Sequence, residues 1–493
     1  MAGATNHIAN HASEAESGLA QQVRAAVLWR SGGQITAQIV QWGATFLVIR
    51  ILTPADYGLF AMTGVVMAFM SMLDGYGLAN GLIRQPHVTP RMIRQLLGML
   101  IVLNAGLATV QCAIAPLAAA YYRQPEVAAL LRVQALMYLT TPFIALPAAL
   151  LARAMDFRAQ AKANMLAAVA AAGTALAGAW SGWGVWTLVA APFVLFTTRA
   201  VAMTWQARAF VLPSFDFRGA GHLARYGGLM ALGQLFWFVQ SQADVFVAGR
   251  TFSAHALGIY TTSLFLAQIF VAKFVPALND VAFSAYARLQ DDAAARALAF
   301  AKAVRVVMAA ALPFYLGLAA TAEPLVLAML GEKWRQAIPV VRLLALAMPF
   351  VTVQVLYQPA CDAIGRPGIS VRNGATGAAI MAVAFLLGVG GGATGLAAAW
   401  LAGAPLYLLL GSRRALPAIG ARGRDVLRAV RPALIAALMM AAVVVATDRL
   451  LPPLAPVPRL ALLVALGVVA YGVALSAIAR PLLRELVALA RRA

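Results

Sequence analysis

Charged and amide side chains are scarce in the apolar stretches of this chain, so each one that occurs there carries information. Asp74, Asp244, Asp362 and Lys273 stand inside long apolar runs, where a charge is costly unless it is paired or faces water. Gln34, Gln38, Gln41 and Thr45 follow a helical spacing and share one face; Gln354, Gln358 and Asp362 repeat the pattern, and Gln240 lies one turn before Asp244. Amides in such stripes hydrogen-bond a hydroxyl-rich ligand in a wet cavity, or else tie neighbouring helices together. Arg50, Arg250 and Arg342 close or flank further apolar runs. Forked guanidinium donors of this kind suit a phosphate, and their alternative role is to anchor a helix end at the interface. Lys273 is the one cation placed deep in an apolar run. Asp74, Asp244 and Asp362 are candidates for gating or for carrying H⁺ or Na⁺.

Bond-making chemistry finds no support. A phosphate-cradling loop needs Gly-Lys in sequence, and none of the lysines, Lys162, Lys273, Lys302 and Lys333, follows a glycine. No H-E-x-x-H or G-x-S-x-G occurs, and the inter-helix stretches hold no convergent acidic pair for sugar chemistry. His7 and His11 share a helical spacing without a firm third ligand, and Cys112 and Cys361 both lie in apolar stretches. No catalytic residue, metal or cofactor is expected.

The elements that would position these side chains are membrane helices. The chain has 493 residues, 62% hydrophobic and 11% charged, with a mean hydropathy of +0.81, far from the roughly even apolar share and one-quarter charged share of soluble domains. A helix needs about 20 apolar residues to cross about 30 Å of hydrocarbon, and about fourteen such stretches can be drawn. Two pairs are divided only by glycine-rich hinges, Ser181-Gly182-Trp183-Gly184 and Gly388-Val389-Gly390-Gly391-Gly392. The formal charge of +21 punctuates apolar runs and forms no basic domain, so nucleic acid is not an expected partner. With the first 23 residues read as a cytosolic tail lacking a signal-peptide core, most Lys and Arg fall in cytoplasmic loops, as the positive-inside rule demands. Arg50, Arg123, Arg132, Arg250, Lys333, Arg335, Arg342, Arg449 and Arg459 fall outside. Both termini are then cytoplasmic, and the cytoplasmic cations attract anionic lipid headgroups.

A repeat appears at an offset of 200: Arg50-Ile51-Leu52-Thr53-Pro54-Ala55-Asp56-Tyr57-Gly58 lies without a gap over Arg250-Thr251-Phe252-Ser253-Ala254-His255-Ala256-Leu257-Gly258. In each copy an Arg ends a helix, a hydroxyl residue can cap the next and a Gly opens it. The plan is an all-α polytopic protein with two six-helix lobes: a tail (1–23), an N-lobe (24–204), a basic linker (205–225), a C-lobe (226–415) and a final helix pair with a tail (416–493). Asp74 and Lys273 fall at nearly equivalent repeat positions, which suggests an ion pair across the lobes that closes an inner gate.

The first repeat copy, with Asp74-Gly75-Tyr76-Gly77-Leu78-Ala79-Asn80-Gly81, resembles the opening of Wzx-type polysaccharide exporters of the colanic-acid class. Pro147 to Arg158, Ala287 to Asp292, Ala322-Glu323-Pro324-Leu325 and Gly331-Glu332-Lys333-Trp334 carry the same likeness. The resemblance implies the multidrug/oligosaccharidyl-lipid/polysaccharide exporter fold in the bacterial inner membrane. It also implies flipping of an undecaprenyl-diphosphate-linked oligosaccharide, in concert with membrane lipids and with a polysaccharide polymerase and other assembly proteins. A cation-coupled multidrug exporter on the same fold is the alternative.

Overall fold

The computed structural model describes residues 38, 40–83, 85, 87–217, 238–289, 291–482 and 484; Gln34 lies outside them. Among the described residues there is no strand. Ten helical segments among the described residues are long and apolar enough to cross a membrane, the longest, Pro367–Ile419, being two helices end to end, and α1, Val40–Ile51, is a shorter apolar helix. The chain divides into two compact units, one running to Leu52 and from Val66 to Gln234, the other taking Thr53–Val65 and everything from Leu235 onward.

Helix α2 (Pro54–Ser71) is shared between the two units and ends short of Gly75. Gly75 adopts φ +87°, a conformation that costs glycine little, and α3 (Tyr76–Ile83) begins after it. The Asp74 carbonyl freed by this break accepts from Asn104 Nδ2 at 2.9 Å, and Asn104, wholly buried, belongs to α4 (Pro90–Tyr122). Thr89 caps α4 by accepting from the Met92 amide. The next crossing is broken: α5 (Glu126–Ala135) gives way to a 3₁₀ turn (Leu136–Thr140) and then to α6 (Pro142–Arg153). Pro142 sits in the first turn, where its missing N–H costs nothing. Asp156 caps α7 (Phe157–Trp180). The hinge at Gly182 (φ +75°) and Gly184 (φ +54°) separates α7 from α8 (Val185–Gln206).

The stretch after α8 is partly a fixed strap. Ser214 N donates to Arg94 O at 2.9 Å, Arg94 Nε to Leu212 O at 3.1 Å and Gln95 Nε2 to Asp216 O at 2.7 Å, while Arg91 pairs with Asp216 at 2.8 Å. Gly98 lets the Ser214 carbonyl reach the α4 backbone, since any Cβ there would collide with it.

The second unit holds α9 (238–251), α10 (Ala254–Arg288), α11 (Ala293–Ala320), α12 (Ala322–Met329), α13 (Ala337–Val355) and α14 (Tyr357–Ala363). Next come α15 (Pro367–Gly388) and α16 (Gly392–Ile419), which pair as a hairpin through the expected glycine turn, Gly392 taking φ +67°. The helices α17 (Gly423–Leu450) and α18 (Pro456–Ile478) follow. Arg459 clasps Asp448 with two bonds, 2.7 and 3.0 Å, where α17 turns into α18, and Tyr471 donates to Ala309 O of α11 at 2.7 Å. The stretch 322–337 is largely helical, closed by Trp334, which is wholly buried and packs edge-on against Tyr57, ring centroids 5.7 Å apart.

The offset of 200 holds for structure as well as letters. α1 ends at Ile51 and α9 at 251; α2 begins at Pro54 and α10 at Ala254. Thr53 Oγ1 accepts from the Asp56 amide at 3.3 Å, and Ser253 Oγ accepts from the Ala256 amide at 3.2 Å. The glycines do not open the helices, however; Gly58 and Gly258 lie a turn inside. A Cβ on Gly58 would strike the Ala254 carbonyl, and one on Gly258 the Pro54 carbonyl. Each copy thus presents to the other the contact it receives.

Candidate functional site

The polar positions of the second unit converge. On α9, Gln240 and Asp244 share one stripe, and α16 offers Tyr407 and Trp400, two turns apart on one face. Asp244 has no exposed surface. Its Oδ2 accepts from Tyr260 Oη of α10 at 2.6 Å, and its Oδ1 accepts from the Val245 amide at 2.8 Å. Trp400 Nε1 donates in turn to Tyr260 Oη at 2.9 Å. The chain Trp400 to Tyr260 to Asp244 therefore ends on the one group that can only accept when ionised, which is the order of donors a buried carboxylate requires.

Two turns along α16 from Trp400, Tyr407 lies close to Gln354 of α13 and Gln240 of α9. Gln354 is 7% exposed, and Gly411 makes room for its amide: a Cβ there would lie 2.6 Å from Gln354 Oε1. That oxygen is buried without a hydrogen-bond partner among the described residues. Asn373 of α15, also buried, reaches the Gly411 carbonyl at 3.4 Å, and Arg414 donates to Thr376 Oγ1 at 2.6 Å. Asp362, at the end of α14, accepts from Ser370 Oγ at 2.7 Å. Gln358 is exposed. Of the expected site residues, Asp244 and Gln354 are thus buried in the second unit, while Gln358 is exposed.

The remaining expected residues are dispersed. In the first unit Gln38, ahead of α1, and Gln41, on it, are half-buried, and the Thr45 hydroxyl is spent on the Gln41 carbonyl at 2.7 Å. Arg50 ends α1 with its side chain exposed, and Asp74 is half-buried in the α2–α3 turn. In the second unit Arg250, Lys273 and Arg342 are exposed, at the end of α9, within α10 and in the second turn of α13. Outside the crossings, Arg335 beside Glu332 holds that carboxyl below the usual glutamate range, and partial burial lowers the Lys333 ammonium against the opposing pull of Asp56.

Sequence reasoning missed Tyr260, Trp400, Tyr407 and Asn373. Tyr and Trp each carry one polar atom on a large apolar body, so hydropathy hides them. The available signal was the placement of aromatic residues at heptad spacing on α16, opposite an Asp–Gln stripe.

Comparison with known proteins follows from this architecture. Over 346 residues the chain is 27% identical to the succinoglycan biosynthesis transport protein ExoT of Rhizobium meliloti (strain 1021), covering 69% of each chain. It is 25% identical over 307 residues to the lipopolysaccharide biosynthesis protein WzxC of Escherichia coli (strain K12), covering 60% of this chain and 61% of that one. In fold it is similar to the lipid II flippase MurJ in an inward closed conformation, with a TM-score of 0.73 at 11% identity over 92% of this chain and 99% of that one. An inward-facing multidrug resistance MATE transporter of the MOP superfamily gives a TM-score of 0.58 at 16% identity over 77% of this chain and 95% of that one. Residues 47–339 match the family described as Polysaccharide biosynthesis protein, and with well over half its length inside that match the chain is a multi-pass membrane protein belonging to this family.

Proposed function

We propose that the protein flips an oligosaccharide repeat unit, carried on undecaprenyl diphosphate, across the bacterial inner membrane for exopolysaccharide, capsule or O-antigen synthesis. It does so by alternating access of two six-helix lobes in a fourteen-crossing bundle with both termini cytoplasmic, and makes no covalent bond. The observation that carries this reading is the family match over 47–339, beside relatives named for succinoglycan biosynthesis transport and lipopolysaccharide biosynthesis. The exposed Arg50, Arg250, Lys273 and Arg342 supply the positive charge a diphosphate needs away from bulk water, the guanidinium forks making the shorter charge-assisted bonds. Gln34, Gln38, Gln41 and Gln358 offer amides to sugar hydroxyls. The lipid tail remains in the bilayer, and a polymerase and other assembly proteins take the unit onward.

A second reading, cation-coupled export of a small molecule, is favoured by the wholly buried Asp244 and by the MATE-like fold. In either reading Asp244, Asp74 and Asp362 are the groups available to couple an ion.

Deletion of the gene separates the two. A flippase loss leaves lipid-linked repeat units on the cytoplasmic leaflet and removes the surface glycan; intact glycan with raised sensitivity to toxic compounds would overturn the proposal in favour of the exporter.

A further inference from the structure

The break in the fourth crossing has a consequence apart from transport. Where α5 gives way to the 3₁₀ turn and α6, a cavity of about 570 Å³ opens in the first unit against α8, within the size range of ligand sites, about 300–1,000 Å³. Its walls are Leu136, Leu139 and Phe143 on one side and Phe193, Val201 and Trp205 on the other. Of the hydroxyls that border it, Thr140 Oγ1 donates to Met137 O at 2.7 Å and Thr204 Oγ1 to Phe143 O at 3.0 Å, while Thr197 Oγ1 is buried without a partner among the described residues. No charged side chain lines it. Val201 is 65% exposed and Trp205 72%, so the groove opens sideways onto whatever surrounds the unit, which for an apolar wall is hydrocarbon.

Its two ends differ. One lies at the middle of the crossing, at the 3₁₀ turn. The other is closed by Trp205 and Phe210, whose rings meet edge-on 6.0 Å apart, after the chain doubles back at Arg208 (φ +48°). Arg208 is exposed. That end of the unit also carries Arg91, Arg94, Arg153, Arg158 and Lys162, against Asp156 and Asp216. Both acids are already engaged, Asp156 in capping α7 and Asp216 in pairing with Arg91. From Phe193 to Trp205 the groove follows α8 for about 18 Å at 1.5 Å per residue, close to one leaflet of an approximately 30 Å hydrocarbon layer. A long polyprenyl tail would overrun it.

We propose that this groove seats one acyl chain of an anionic phospholipid of the cytoplasmic leaflet, with its headgroup at Arg208. The bound lipid wedges the broken crossing against α8. The site is independent of the cargo, and the leaflet follows from the same cations that orient the chain.

The test uses the full-length protein extracted from nanodiscs containing phosphatidylglycerol, phosphatidylcholine and undecaprenyl phosphate, with lipid retained per protein read by mass spectrometry after detergent washing. Wild type is expected to retain phosphatidylglycerol. Val201→Trp, which fills the groove from its open side, should lower that retention on the order of tenfold, and Arg208→Gln should erase the preference over phosphatidylcholine. Val468→Trp, on an equally exposed face of α18, should leave retention unchanged. If Val201→Trp fails to give monodisperse protein, Leu139→Trp fills the same groove from the opposite wall. Retention unaffected by filling the groove, equal loss in Val468→Trp, or retention of undecaprenyl phosphate in place of phosphatidylglycerol overturns the proposal.

Discussion

At the scale of single residues, Tyr260 holds the buried core of the second unit together. Its hydroxyl both donates to Asp244 and accepts from Trp400, so its removal strands one donor and one acceptor in a place without exposed surface. Tyr260→Phe is expected to lower stability by about 1–3 kcal/mol, the cost of leaving a buried polar group unpaired. Trp400→Phe removes only the outer donor and should cost less. Thermal unfolding of the purified variants in detergent checks the order, and a larger loss in Trp400→Phe would place the centre of the network elsewhere. Gln354 behaves differently, because its Oε1 is buried without a partner among the described residues and the missing side chain of Gly411 makes space for it. The periodic spacing of polar letters made the α9 stripe legible. Its partners Tyr260 and Trp400 were not legible, because they stand on other helices and look apolar in any hydropathy scale.

At the scale of elements, glycine and proline decide where helices break and touch. The crossing of α2 over α10 depends on Gly58 and Gly258, each bare beside the other helix's first carbonyl. Alanine at either position must push the same two backbones apart, so Gly58→Ala and Gly258→Ala are each expected to cost about 1–3 kcal/mol. The double variant should cost clearly less than their sum, since the first substitution has already opened the contact. A double-mutant cycle of unfolding midpoints measures this; strict additivity would mean that the two sites are independent. The strap after α8 gives a second case. Gly98→Ala should lift residues 207–217 from α4 by displacing Ser214, seen as new protease cleavage within the strap while the core resists as in wild type. The same physics explains the break between α2 and α3. Gly75 was visible in sequence, but whether a glycine kinks, ends or merely thins a helix depends on the neighbour it meets, here Leu100 and Leu103 packed against it and Asn104 collecting the freed carbonyl.

At the scale of the whole molecule, the proposed cycle needs an even number of crossings and a closing interaction on the cytoplasmic side. A reporter active only in the cytoplasm, fused after Ala493, should give full signal, and a signal only from periplasmic reporters would break the proposed topology. The gate proposed from the repeat pairs Asp74 with Lys273. Asp74→Lys and Lys273→Asp should each reduce transport, and the exchange of both charges should restore it to within severalfold of wild type; a double variant no better than either single one removes the gate. The energetic ground is that a charge within the membrane is tolerated when paired and costs several kcal/mol when alone.

The amino-acid sequence by itself determined that this is a helical membrane protein, where the glycine hinges at 182–184 and 388–392 separate helices, and which hydroxyls cap the repeated elements. Each of these follows from local composition, backbone freedom or spacing, and needs no knowledge of neighbours. Only the tertiary structure decided that Asp244 is bound within a donor chain reaching across three helices, that Gly58 and Gly258 are contacts and not helix starts, and that 207–217 is a strap. These depend on which surfaces meet across some 115 to 205 residues of separation. No local pattern encodes such meetings, because packing selects partners by shape and by the unsatisfied groups left on facing helices.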